Sequence, residues 1–262
     1  MGGQGRTKTS RRRRSRIALI GLALLCSAGL AAGSAEASPF DKPVKTTVLP
    51  LPPDPQNPTD KAQLSCFYFA RFMVKEVDLG EVGAEQLSVL PLSGGALPPC
   101  KRENAADERV LTDWSGYYKG VVGDYVFLDA DDGWNDGLGF AVYTAADGKK
   151  IFDDTAKTWH SIKTTAAGLV LRYERVYGAP CSLEGDKSKC WAKIREETGL
   201  LGDTAPDCLA AYQREQARTP SFATQVLDDP SILDYEVAVT LSGGKAAFKP
   251  VTGKSFGCRP SE

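Results

Sequence analysis

Apolar and polar positions alternate with a period of two through much of the chain. Leu169, Leu171 and Tyr173 alternate with Val170, Arg172 and Glu174, and Tyr235, Val237, Val239 and Leu241 repeat the pattern. Successive side chains of a strand point to opposite faces, so this period predicts strands with one buried face. Leu138, Phe140 and Val142 alternate with Gly139, Ala141 and Tyr143. Tyr117 to Val122 and Tyr125 to Leu128 form apolar runs separated by Gly123-Asp124, and Asp147-Gly148 gives a two-residue hairpin signal before Lys150-Ile151-Phe152. Gly243-Gly244 turns the chain into a closing strand over 246 to 251. Upstream, LSCFYFARFMV (64 to 74) is apolar on both faces and predicts a buried strand. Glu76 to Leu79 and Gln86 to Leu92 predict further strand before a Gly- and Pro-rich loop over 93 to 107.

A helical period enters between 188 and 218. Trp191, Ile194 and Thr198 share one face of a short helix that Gly199 can cap, and a second helix is expected to start near Thr204 through a capping box with Asp207. Cys208, Ala211 and Tyr212 would face inward. Strands at tight spacing with one short helical insertion predict a strand-dominated α+β fold, an antiparallel sheet or sandwich with a two-helix insertion.

Two segments precede that body. Arg11 to Arg16 is a positive cluster, Ile17 to Ala32 is an apolar run shorter than a comfortable membrane span, and Ala35-Glu36-Ala37 supplies a small-x-small site. Residues 1 to 37 therefore predict a cleavable export signal. Residues 39 to 58 hold seven of the 16 prolines. Fixed φ and missing N–H groups predict an extended arm over 38 to 60, a spacer or a Pro-rich segment for a partner, ahead of one globular domain over 61 to 262.

Removing the signal changes the charge. The whole chain has a net charge of -1, but residues 38 to 262 keep 25 basic against 32 acidic side chains, a net of -7. Phosphate backbones and anionic lipid repel such a chain, so nucleic acid is excluded as a partner and no membrane span is expected after cleavage. A periplasmic or secreted destination is oxidising, and six cysteines remain there: Cys66, Cys100, Cys181, Cys190, Cys208 and Cys258. An even number predicts three disulfides among 15 possible pairings, with local pairing in chain order as the expectation. No C-x2-4-C pair stands ready for zinc or for redox exchange.

Candidate chemistry concentrates in one acidic stretch. Asp129, Asp131, Asp132, Asn135 and Asp136 lie within eight residues of one another, and their mutual repulsion would be relieved by Ca2+. The same residue types also build a plain surface turn. Trp134 within it, with Trp114 nearby in sequence, would offer a stacking platform for a sugar ring or a peptide.

Catalytic constellations are sparse. His160 is the single histidine, there is no Gly-x-Ser-x-Gly elbow, and neither a P-loop nor a Gly-x-Gly-x-x-Gly precedes a helix. The expectation is an exported, non-catalytic binding or structural module taking a protein or glycan partner, with no cofactor beyond a possible Ca2+. The alternative is a secreted hydrolase using a carboxylate pair such as Asp129 with Asp136 or Glu174 with Asp153.

Overall fold

A computed structural model describes residues 38–53, 58–59, 61–253 and 256–261. The export signal read over residues 1 to 37 lies outside them. Two antiparallel sheets carry the chain, each a meander in which sequence neighbours pair. The smaller sheet runs β1 (Lys45–Pro50), β2 (Gln63–Tyr68), β3 (Phe72–Asp78), β4 (Gln86–Pro91) and β5 (Arg109–Val110). The larger follows as β6 (Gly116–Val122), β7 (Tyr125–Trp134), β8 (Gly137–Thr144), β9 (Lys150–Thr165), β10 (Gly168–Gly178), β11 (Ser231–Ser242) and β12 (Lys245–Pro250). The eighth strand, β13 (Gly257–Pro260), shares the free edge of β11 with β12. Strands dominate, as the alternation predicts.

The alternation also assigns the faces. Val121, Val126, Leu128, Ala141 and Tyr143 of the large sheet pack against Phe72, Val74, Leu87 and Val89 of the small one, forming the layer between the sheets. Phe127, Phe140, Leu171, Tyr173, Tyr235 and Val237 lie on the opposite face of the large sheet. That face meets α1 (Lys187–Thr198) and α2 (Leu209–Arg218) through Trp191, Ile194 and Tyr212. The sheet curls so that β12 comes back toward β9, and this helix-covered face is its inner face. A third cluster, Leu64, Cys66, Tyr68, Met73 and Val77, lies on the remaining face of the small sheet beneath Leu92 and Cys100 of the 92–108 loop.

Three disulfides fasten these parts with the local pairing: Cys66–Cys100, Cys181–Cys190 and Cys208–Cys258. The first holds the 92–108 loop to β2, the second ties α1 to the segment after β10, and the third ties the start of α2 to β13. No helix among the described residues is long and apolar enough to cross a membrane.

Several local expectations change. The apolar run 64 to 74 is two strands, because the chain turns at Phe69 to Arg71, where Phe69 N–H donates to Phe72 C=O over 2.8 Å. No Gly, Pro or Asn announces that turn. The second helix begins at Leu209 rather than near Thr204, because Pro206 disfavours helical backbone at Ala205 and the Cys208 bridge fixes the entry. The Asp147-Gly148 connection is longer than two residues: Thr144 N–H donates to Lys149 C=O over 3.0 Å, with Gly148 at positive φ in the bulge position. The strand opening at Lys150 extends 16 residues. Within the proline-rich stretch, Lys45–Pro50 pairs with β2, and Phe40 packs edge-on against Phe127.

Candidate functional site

The acidic stretch forms the far end of the β7–β8 hairpin. Asp129 pairs with Phe140 and Gly133 with Leu138, so Ala130, Asp131 and Asp132 bulge opposite the single residue Gly139. Asn135 and Asp136 then close the turn with φ of 49° and 61°. Both central residues of a two-residue primed turn need positive φ, which Asn and Asp tolerate better than other side chains.

The bulge and the turn send the carboxylates to different partners. Asp129 takes Lys119 at 2.6 and 2.8 Å. Lys119 is itself the extra residue of a β6 bulge and stands 5.5 Å over the Trp159 ring. Asp131 accepts from the Ser115 hydroxyl at 2.9 Å, and Asp132 from the Gly133 N–H at 2.7 Å. Asp136 pairs with Arg259 at 3.5 Å, and the same guanidinium donates to the Asn135 carbonyl. Among the described residues no group of three or more His, Cys, Asp or Glu side chains is gathered so as to hold a metal ion.

Arg259 anchors this tip to the body. It sits in β13 next to Cys258 and also bonds Asp234 of β11, a carboxylate almost wholly buried. Lys157 reaches the same Asp234 oxygen at 2.8 Å. Lys157 can do so because it is skipped in the β9–β10 pairing: Glu174 pairs with Thr158 and Arg175 with Ala156. A bulge of this kind re-aims a side chain. Three strands and the β7–β8 turn thus converge on one carboxylate and one guanidinium.

On that fixed tip Trp134 is 49% exposed. Its ring lies over the Gly178 backbone so closely that a Cβ there would stand 2.4 Å from Cη2. Trp114 is placed differently. Its indole N–H donates to the Asp129 carbonyl at 3.2 Å, its ring lies against Gly139 in the layer between the sheets, and Lys150 stands 6.0 Å over it.

The carboxylate pairs of a hydrolase do not converge. Asp129 and Asp136 are drawn to Lys119 and Arg259 respectively and are separated along the hairpin by roughly 10 Å or more. Asp153 pairs with Lys150 at 3.4 Å, and Glu174 lies about four residues further along the sheet, on the order of 13 Å. His160 is exposed on β9, the extra residue of another bulge.

Two polar clusters escaped the sequence reading. On the inner face, the buried Asp154 carboxylate accepts from the Tyr173 hydroxyl and from Arg175 Nε at 2.8 Å. Arg175 also donates to the Tyr235 hydroxyl at 2.9 Å and lies over the rings of Tyr177 and Phe248. Burial, then the Asp154 charge, pushes the Tyr173 phenol far above its ordinary value. Burial works against the Arg175 charge, but Asp154 beside it leaves the guanidinium above its ordinary range. The second cluster centres on Lys75, whose single basic nitrogen in an apolar strand gives little hint of burial. Its partners come from a loop whose path only the fold reveals.

Compared with models of protein families, with curated proteins and with solved structures, the chain matches none.

Proposed function

We propose that this is an exported, non-catalytic binding module that engages its ligand through Trp134. The observation that carries the reading is a half-exposed indole on a hairpin tip clamped by Arg259 and backed by the Cys208–Cys258 bridge. An aromatic ring left in water costs solvation free energy, and a tip held this firmly loses little further freedom when something stacks on it. The exposed Asp132 and Asp136, two residues to either side of Trp134 in sequence, supply hydrogen-bond acceptors suited to sugar hydroxyls or peptide N–H groups, so a glycan or an extended peptide is the ligand class. Three disulfides support an oxidising destination, extracellular or periplasmic, reached through the signal over residues 1 to 37.

The mature protein is to be screened on glycan and peptide arrays beside Trp134→Ala and Asp136→Asn. Binding that Trp134→Ala abolishes and Asp136→Asn retains supports the module. Turnover of a glycoside, ester or peptide that Asp136→Asn removes would establish the hydrolase instead.

A further inference from the structure

Lys75 points from β3 into the face of the small sheet that the 92–108 loop covers, and its side chain is 1% exposed. Its ammonium lies 2.6 Å from Oε1 of Glu108, whose side chain is 2% exposed. Burying such a pair is costly unless every donor and acceptor is met. Here the amine is oversupplied. Besides Glu108, it contacts the carbonyls of Arg102 at 3.2 Å and Glu103 at 3.3 Å, and Oδ1 of Asn104 at 2.9 Å. An ammonium has three hydrogens for these four acceptors.

The Asn104 carboxamide is placed as an electrophile. Its Oδ1 accepts from Gln86 Nε2 at 2.7 Å, a donor aimed at the oxygen on which negative charge would develop if its carbon were attacked, and the contact with Lys75 Nζ sets the amine beside that carboxamide. Glu108 is held for proton transfer by the Ser88 hydroxyl and by the Ala105 N–H at 2.9 Å. Asn104 itself faces solvent, which gives a small leaving group an exit.

We propose that Lys75 and Asn104 are joined by an isopeptide bond that the folded chain forms by itself. Glu108 takes a proton from the Lys75 ammonium, and the freed lone pair attacks Cγ of Asn104, forming the new C–N bond. Glu108 passes that proton to the carboxamide nitrogen, which leaves as ammonia when the old C–N bond breaks, and takes up the second proton that the Lys75 nitrogen sheds as the new amide forms. Nothing is oxidised or reduced, and no co-reactant is needed. Glu108 is the proton carrier, and Gln86 is a positioning residue that polarises the carbonyl. The product ties the 92–108 loop to β3 beside the Cys66–Cys100 bridge with a link that reductants cannot open.

Intact-mass spectrometry of the reduced, denatured protein tests this directly. The wild-type chain is expected about 17 Da, one ammonia, below its sequence mass. Asn104→Ala, at an exposed position that tolerates truncation, and Glu108→Gln should both appear at full mass. Tryptic digestion should show no cleavage after Lys75 and a branched peptide joining the segments around 75 and 104. A wild-type chain at full mass overturns the proposal. So does a loss of the same size that persists in Lys75→Met, because that is an Asn104 imide.

Discussion

Arg259→Met tests whether one guanidinium holds the hairpin tip. The substitution keeps the apolar stem and deletes the charge. Asp234 is left with Lys157 alone, its own side chain 5% exposed against 33% for the lysine. Orphaning a buried charge outright costs about 3–5 kcal/mol, and the surviving lysine reduces this to about 2 kcal/mol. The Asn135 carbonyl loses a charged donor, about 1 kcal/mol more. The Asp136 contact, long at 3.5 Å and more than half exposed, adds almost nothing. The expected loss is therefore about 3 kcal/mol, which in a domain of this size lowers the melting temperature by roughly 6–12 °C. Scanning calorimetry and urea titration read it, and near-ultraviolet dichroism should show loosening around Trp134.

Adding Asp234→Leu to Arg259→Met supplies the control. Much of the penalty comes from the stranded carboxylate, so removing it should recover stability and give a coupling of about 1–3 kcal/mol between the two positions. A single variant within 0.5 kcal/mol of wild type, or a double variant showing no coupling, refutes the account of the tip as a charge-clamped element.

Three further outcomes follow from the same geometry. Gly178→Ala places a Cβ 2.4 Å from the Trp134 ring, so the half-exposed indole should swing outward. Stability should change by less than about 1 kcal/mol while Trp134 fluorescence and ligand binding change markedly; unaltered fluorescence would count against the stacked ring. Burial, then the Asp113 and Asp153 charges, pushes the Tyr143 phenol up to about 12, and Tyr173 is raised further. An unfolded tyrosine ionises near 10, so their contribution to stability is full below about pH 10 and is lost as pH rises toward 12. Absorbance at 295 nm should show these phenols ionising only together with loss of secondary structure, and titration near 10 in folded protein would contradict the burial. Because Asp129, Asp131 and Asp136 already have Lys119, Ser115 and Arg259, a chelator should leave the melting curve in place, whereas a lowered midpoint would show that the hairpin takes Ca2+.

How far the sequence speaks depends on the range of the interactions. Strand positions were legible because burial of alternate residues is written locally, as at Leu169, Leu171 and Tyr173. The α1 boundary was legible for a similar reason, since Gly199 adopts φ 69° one residue past the last turn. The local disulfide pairing follows a meander, where near neighbours in sequence are neighbours in space. What stayed hidden depends on register. Lys119, Lys157 and His160 each occupy a bulge, and one extra residue redirects a side chain without changing the hydrophobic pattern on either side. Asp234 and Arg259 are ordinary charges until β13 is laid on β11. Lys75 reads as a break in an apolar strand until the 92–108 loop folds over it. The acidic stretch shows the same limit from the other side. Its composition announced concentrated charge, but a three-residue bulge and a left-handed turn disperse that charge among Lys119, Ser115 and Arg259, with Trp134 as the exposed aromatic of the tip. Local chemistry therefore located the hairpin, and long-range pairing determined how its side chains are partnered.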